Sequence, residues 1–131
     1  MQWLNVLIHA RPSHDISLHQ ACNAHGVFNV RVAQDLLEAK SCLAQRGTVD
    51  LLILDNAMPV REGRVLLRQV DRAQRPCALL FVGEPAGQGD SLAREARRQD
   101  LKVVGELSWP LSMPTLQRAL ERLALPAGLS V

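Results

Sequence analysis

Short apolar runs alternate with amphipathic stretches five times along the chain. The runs, most of them rich in Val, Ile and Leu, fall at Trp3–Ile8, Phe28–Val32, Val49–Leu54, Ala78–Val82 and Leu101–Val104. Their continuous rather than alternating apolarity predicts strands covered on both faces. Helical patterns fill the intervals at 14–25, 33–46, 63–73 and 90–99, and a last one follows at 113–124. That last segment has the plainest signature. Leu116, Ala119, Leu120 and Leu123 recur at i, i+3, i+4 and i+7, Ser112 can cap the helix, and Pro114 suits its first turn.

Gly26, Gly47, Gly63 and Gly105 punctuate these elements, and the connections are short, with no internal linker. A fivefold βα alternation predicts a parallel, doubly wound α/β sheet, with right-handed crossovers placing helices on both faces. Ligands of such sheets sit beyond the carboxyl ends of the strands. The stretches to inspect are therefore His9–Pro12, Asp55–Pro59, Gly83–Pro85 and Gly105–Pro110.

At 131 residues and 47% hydrophobic, the chain suits one domain, expected over 1–125 with a short tail at 126–131. A core of that size needs no structural metal or disulfide. Fifteen Lys and Arg against thirteen Asp and Glu leave a net charge of +2, too little to imply nucleic acid or an anionic membrane as partner. No apolar run reaches the roughly 20 residues that span a bilayer, and residues 1–10 lack the apolar region of a secretory signal, so a cytoplasmic protein is expected. Cys22, Cys42 and Cys77 are odd in number and lack CxxC spacing, which predicts buried reduced thiols. His9, His14, His19 and His25 form no recognisable ligand set. Without GxGxxG, a P-loop or a nucleophile paired with a base, a small nucleotide- or flavin-binding enzyme has only fold analogy behind it.

The third strand end reads VDLLILDNAMPVREG, residues 49–63. Here, and in overall length, βα order and proline positions, the chain resembles the receiver domain of bacterial two-component response regulators. The resemblance implies a flavodoxin-like sheet of strand order 2-1-3-4-5. It implies that Asp55 is the phosphoacceptor, followed by Met58, Pro59 and Gly63, with Asp50 at a common acidic position. An aspartate ending a buried strand is held rigidly, and a fixed carboxylate can attack a phosphoryl group. The bland alternative is an aspartate that satisfies loop amides.

The departures from the family are as informative. Receivers usually carry an acidic pair before the first-loop proline to hold magnesium; this chain has His9 and Ala10, then Arg11 and Pro12. Asp55 with the carbonyl of Ala57 would make at most a weak magnesium site, and the cofactor expectation is none or weakly bound Mg2+. The hydroxyl residue expected after the fourth strand is replaced by Val82 or Gly83. The lysine expected before the last-loop proline is replaced by Trp109, ahead of Pro110. Arg11 and Glu84 are candidate compensating charges, with Asp15 and His9 as further candidates for a replacement ligand. Family likeness also implies a cis Trp109–Pro110 bond, with the indole lying over the space the lysine vacated.

The expectation is a non-enzymatic signalling module, a pseudo-receiver that acts through a histidine kinase, an effector protein or a second copy of itself. The alternative is a working receiver phosphorylated on Asp55 by a histidine kinase with unusual metal ligands. The stretch VVGELSWPLS also resembles receivers fused to cyclic-di-GMP phosphodiesterase domains. The polar fourth helix, with Arg94, Arg97 and Arg98 and few apolar residues, is expected to be loosely anchored and to form the partner surface.

Overall fold

The computed structural model describes residues 4–45, 49–72, 76–84 and 91–124. Five parallel strands, β1 (Asn5–His9), β2 (Asn29–Val32), β3 (Leu51–Asp55), β4 (Ala78–Val82) and β5 (Val103–Leu107), form one sheet in the order 2-1-3-4-5. Every residue of β3 and β4 is buried, as their unbroken apolar sequences require of strands flanked by neighbours and covered on both faces. The helices are α1 (Pro12–Ala24), α2 (Leu36–Ala44), α3 (Val60–Arg72), α4 (Leu92–Arg98) and α5 (Met113–Ala124). The sheet divides the core in two. Val6, Ile8, Ile53 and Leu80 pack with Leu18 of α1 and Leu116 and Leu120 of α5. Leu7, Leu52, Leu54 and Phe81 pack with Leu43 of α2, Leu66 and Leu67 of α3 and Leu92 of α4. The flavodoxin-like fold anticipated above is therefore present, and Asp55 stands at its carboxyl edge.

Several boundaries differ from the sequence reading, each for a local reason. β1 runs to His9 because its ladder to β3 continues through His9 and Leu54. β3 starts at Leu51, just after Asp50, whose carboxylate accepts the Asn5 amide at 2.9 Å and whose own amide donates to the Asn5 carbonyl at 2.9 Å. The fifth strand lies two residues later than its apolar run, at Val103–Leu107, across Gly105 and Glu106 and past a register irregularity opposite Leu79 and Leu80. An edge strand can carry a glycine and an exposed carboxylate that a central strand would not. Its outer side is engaged by α5, where Arg122 donates to the carbonyl of Val104 at 2.8 Å.

Helix starts follow their caps. α1 begins at Pro12, which needs no amide partner in the first turn. α2 begins after Asp35, whose carboxylate accepts the Glu38 amide at 2.8 Å while Glu38 accepts the Gln34 amide at 3.3 Å. Asp35→Ala should therefore lower stability by about 1 kcal/mol in urea titration. α3 begins at Val60, so Gly63 lies inside a helix rather than ending an element. A Cβ at Gly63 would come within 2.4 Å of a methyl carbon of Leu92, and the missing side chain is what lets α4 approach α3.

The fourth helix is better anchored than expected. Ser91 caps it, accepting the Arg94 amide at 3.1 Å, and Leu92, Ala93 and Ala96 are fully buried. Cys22, Cys42 and Cys77 are free and buried, and burial pushes the Cys22 thiol up to about 11 and the Cys77 thiol up to about 12. Among the described residues no helix is long and apolar enough to cross a membrane. Trp3, Gly47, Pro85 and the tail at 126–131 lie outside the described residues.

Candidate functional site

Asp55 is the last residue of β3, paired in register with Val82 of β4. Beyond it the chain turns at once. The Met58 amide donates to the Asp55 carbonyl at 3.1 Å, and the Asn56 amide donates to the Val82 carbonyl at 2.9 Å. The Asp55 side chain folds over this turn, and its Oδ1 accepts the Ala57 amide at 2.8 Å, an arrangement typical of aspartate in turns. Gly83 closes the other side with φ at +92°, and a Cβ there would stand 3.7 Å from Asp55 Oδ1. A left-handed backbone beside the carboxylate suits glycine and disfavours a β-branched hydroxyl residue.

The remaining partner comes from the first loop. Arg11 is the N-cap residue of α1, and its carbonyl accepts the amides of His14 and Asp15 at 2.9 and 3.1 Å. From there its guanidinium crosses to β3. Nε donates to Asp55 Oδ2 at 2.8 Å, and Nη2 reaches Oδ1 at 3.5 Å. Burial would push the Asp55 carboxyl up. The Arg11 hydrogen bond, the Ala57 amide and the Arg11 charge outweigh it and hold the group below the usual carboxylate range. Asp55 is 7% exposed and ionised at neutral pH, with its charge matched by a fixed cation.

The other positions singled out from the sequence take ordinary structural partners. His9 directs Nδ1 to the Ala33 carbonyl at 3.3 Å, tying the end of β1 to the chain beyond β2. Ala10 packs against the α1–α5 side of the core, and its amide donates to Asp15 Oδ1 at 3.1 Å. Burial pushes the Asp15 carboxyl up, against the pull of that amide. Val82 is fully buried, and Glu84 is exposed. Trp109–Pro110 is cis, as the family likeness implied. The ring that Trp109 covers is His14, stacked at 3.7 Å between centroids and 17° between planes, and the indole also packs against the α1–α5 core. His14 is buried, its Nδ1 has no partner among the described residues, and burial together with the Arg11 charge lowers its pKa, so the ring is neutral at pH 7.

Three contributors escaped the sequence reading. His14 gave no signal beyond its place one turn into α1. Asn56 is a plain neighbour of Asp55, yet it is buried and donates from Nδ2 to Glu106 Oε1 at 3.4 Å. Glu106 in turn accepts from Arg97 of α4. Of the other helix α4 arginines, Arg94 is exposed and Arg98 bonds Glu95 at 3.0 Å, where Arg64 of α3 also reaches at 3.5 Å.

Magnesium takes oxygens in near-octahedral geometry and usually needs one or two carboxylates. Here the guanidinium covers Asp55 and Asp15 is turned to a backbone amide. Among the described residues no three His, Cys, Asp or Glu side chains are grouped to hold a metal. The donor set suits a divalent cation poorly. A cavity of about 420 Å³ opens instead at the amino ends of β1 and β2, between Asn5, Phe28, Arg31 and Cys42, on the edge opposite Asp55.

No family model and no curated protein matches the sequence. Solved structures do match the fold. A response regulator from Colwellia psychrerythraea superposes with a TM-score of 0.69 at 21% identity, over 92% of this chain and 97% of that one. The receiver domain of a sensor histidine kinase from Pseudomonas aeruginosa, with magnesium coordinated in its active-site cleft, gives 0.68 at 18% identity over 93% and 99%. The non-phosphorylated HemR receiver domain of Leptospira biflexa gives 0.68 at 18% over 97% and 99%.

Proposed function

We propose that this chain is a two-component signalling module on the receiver fold, acting through protein partners, in which Arg11 holds the aspartate that receivers phosphorylate. The observation that carries the reading is the two-point contact of Arg11 with Asp55, 44 residues away in sequence. The guanidinium supplies beside the carboxylate the positive charge that a receiver draws from magnesium. The receiver domains that share the fold support the signalling class.

Phosphoryl transfer to a carboxylate brings like charges together, and catalysis of it is largely positioning plus charge neutralisation. Arg11 neutralises Asp55 but also occupies both of its oxygens, so the nucleophile is covered. With Val82 or Gly83 in place of a hydroxyl residue and Trp109 in place of a lysine, an arriving phosphoryl group would find few fixed contacts. The module then signals by which proteins it binds, and the surface of α4 with Arg94, Arg97 and Arg98 is the face offered to an effector, a kinase or a second copy.

Intact mass after incubation with a small phosphodonor and magnesium tests this directly, with Asp55→Asn as control. The expected result is no phosphoryl adduct under conditions that label an ordinary receiver. A stoichiometric adduct that Asp55→Asn abolishes would overturn the reading in favour of a working phosphoacceptor.

A further inference from the structure

We propose that the cavity between β2 and the last turn of α2 is a binding site for a small aromatic carboxylate, held through Arg31. In the β1–β2 ladder Leu7 stands beside Arg31, and Leu7 belongs to the core half that α2 covers. Residues paired across parallel strands share a face, so Arg31 lies where β2 would otherwise give α2 an apolar side chain. Val30 and Val32 pack into the other half. On the α2 side the facing residue is Cys42, a small one, and Arg31 Nη1 donates to its Sγ at 3.4 Å. A cation and a thiol thus meet where two large apolar side chains would close the layers, and a cavity of about 420 Å³ is left. That lies within the roughly 300–1,000 Å³ of small-molecule sites.

The lining selects the ligand. Val30 and Val49 add apolar wall, and Phe28, 59% exposed, puts a ring at the mouth, which favours a flat aromatic body. Among the lining residues Arg31 carries the only formal charge. A thiol is a weak acceptor, so most of the donor capacity of the guanidinium is open to a carboxylate, which can accept two N–H groups side by side. Glu38 attracts Arg31 from a distance but gives its own carboxylate to the Gln34 amide. Cys42 and Gln45 come from the carbonyl end of α2, where the helix dipole is negative. Arg31 offsets one negative charge there, and a phosphate ester would bring a second toward that end. The site therefore suits a monoanion. It stands at the edge of the sheet opposite Asp55, and nothing in it depends on the signalling reading.

Titration of the full chain with cinnamate, followed in amide and arginine-side-chain NMR, tests the site. The expected result is saturable shifts of Arg31 Nε–H and of the Asn29 and Gln45 amides, with a dissociation constant of about 1 mM or tighter. Cinnamamide, the same shape without the charge, should bind about tenfold more weakly. Cinnamyl phosphate should bind no more tightly than the acid. Arg31→Gln, at an exposed position that does not threaten folding, should bring cinnamate down to the affinity of the amide, and Arg11→Gln should leave it unchanged. Equal affinity for acid and amide, tighter binding of the phosphate, or cinnamate binding that Arg11→Gln removes and Arg31→Gln does not would each overturn the proposal. So would the absence of shifts at about 5 mM cinnamate.

Discussion

Replacing Arg11 with glutamine should turn Asp55 from a carboxyl more acidic than usual into one less acidic than usual. Burial is the largest influence on this group and acts upward; the arginine hydrogen bond and charge, the Ala57 amide and, least, the nearby His14 ring bring it down. Removing the guanidinium leaves the Ala57 amide and the smaller pull of His14 against the burial of a side chain that is only 9% exposed. Carbon-13 titration of the Asp55 carboxyl should show the reversal. The sign of the stability effect follows. A carboxyl held below its ordinary value stabilises the fold near neutrality and loses that contribution as pH falls through the folded value. A carboxyl held above its ordinary value has the opposite dependence, and its ionisation opposes folding as pH rises through the folded value. Melting temperatures of the two proteins should therefore converge in acid and separate toward neutral pH. Asp15, held up by burial, carries the second kind of dependence in both proteins and cancels in the difference. An Asp55 that stays below the usual range in the variant would mean that the Ala57 amide, not Arg11, sets its charge.

The largest loss of stability is expected from Phe81→Ala. Phe81 has no exposed surface and sits in β4 between Leu54 of β3 and Glu106 of β5 in register. It belongs to the core half that holds α2, α3 and α4, and among the described residues it is the largest fully buried side chain. Truncating such a residue costs about 3–5 kcal/mol, because the lost transfer energy is joined by a cavity that the parallel sheet cannot collapse around. For a domain of this size that is a fall of roughly 10–20 °C in melting temperature. The strand also carries Val82, which pins Asn56, so the loss should loosen the Asp55 turn as well. A fall under about 5 °C would mean that the surrounding layers close the gap.

How much of this was legible from sequence depended on whether a residue's partner is local. Ala78–Val82 and the helix at 113–124 have the bounds their patterns predict, since a fully buried strand and a one-faced helix with Ser112 before it are local properties. The fifth strand was misplaced because Gly105 and Glu106 break its apolar run, and only the sheet edge explains why they are tolerated. Gly63 looked like a stop because the pattern cannot show the Leu92 side chain that needs its empty space. At the site, Asp55 was found from the motif that follows it, and Arg11 was named as a candidate charge, but their contact spans 44 residues and needed the β1–β3 pairing to close. The stack of His14 on Trp109 and the Asn56–Glu106–Arg97 contacts join side chains that have no shared sequence signal.

The arginine that α5 lays on the outer side of β5 bears on how copies of this domain can meet. A free sheet edge is a template on which another chain can add a strand, and natural proteins guard such edges with charge and irregularity. Arg122 occupies the Val104 carbonyl, Glu106 places a carboxylate on the same strand, and the register irregularity lies alongside. Two sheets brought together at this edge would have to displace an arginine and bury a carboxylate before their backbones could pair. Association through this side is thereby restricted to contacts between side chains, which can be reversed, and is steered away from the continuous sheet that leads to aggregation.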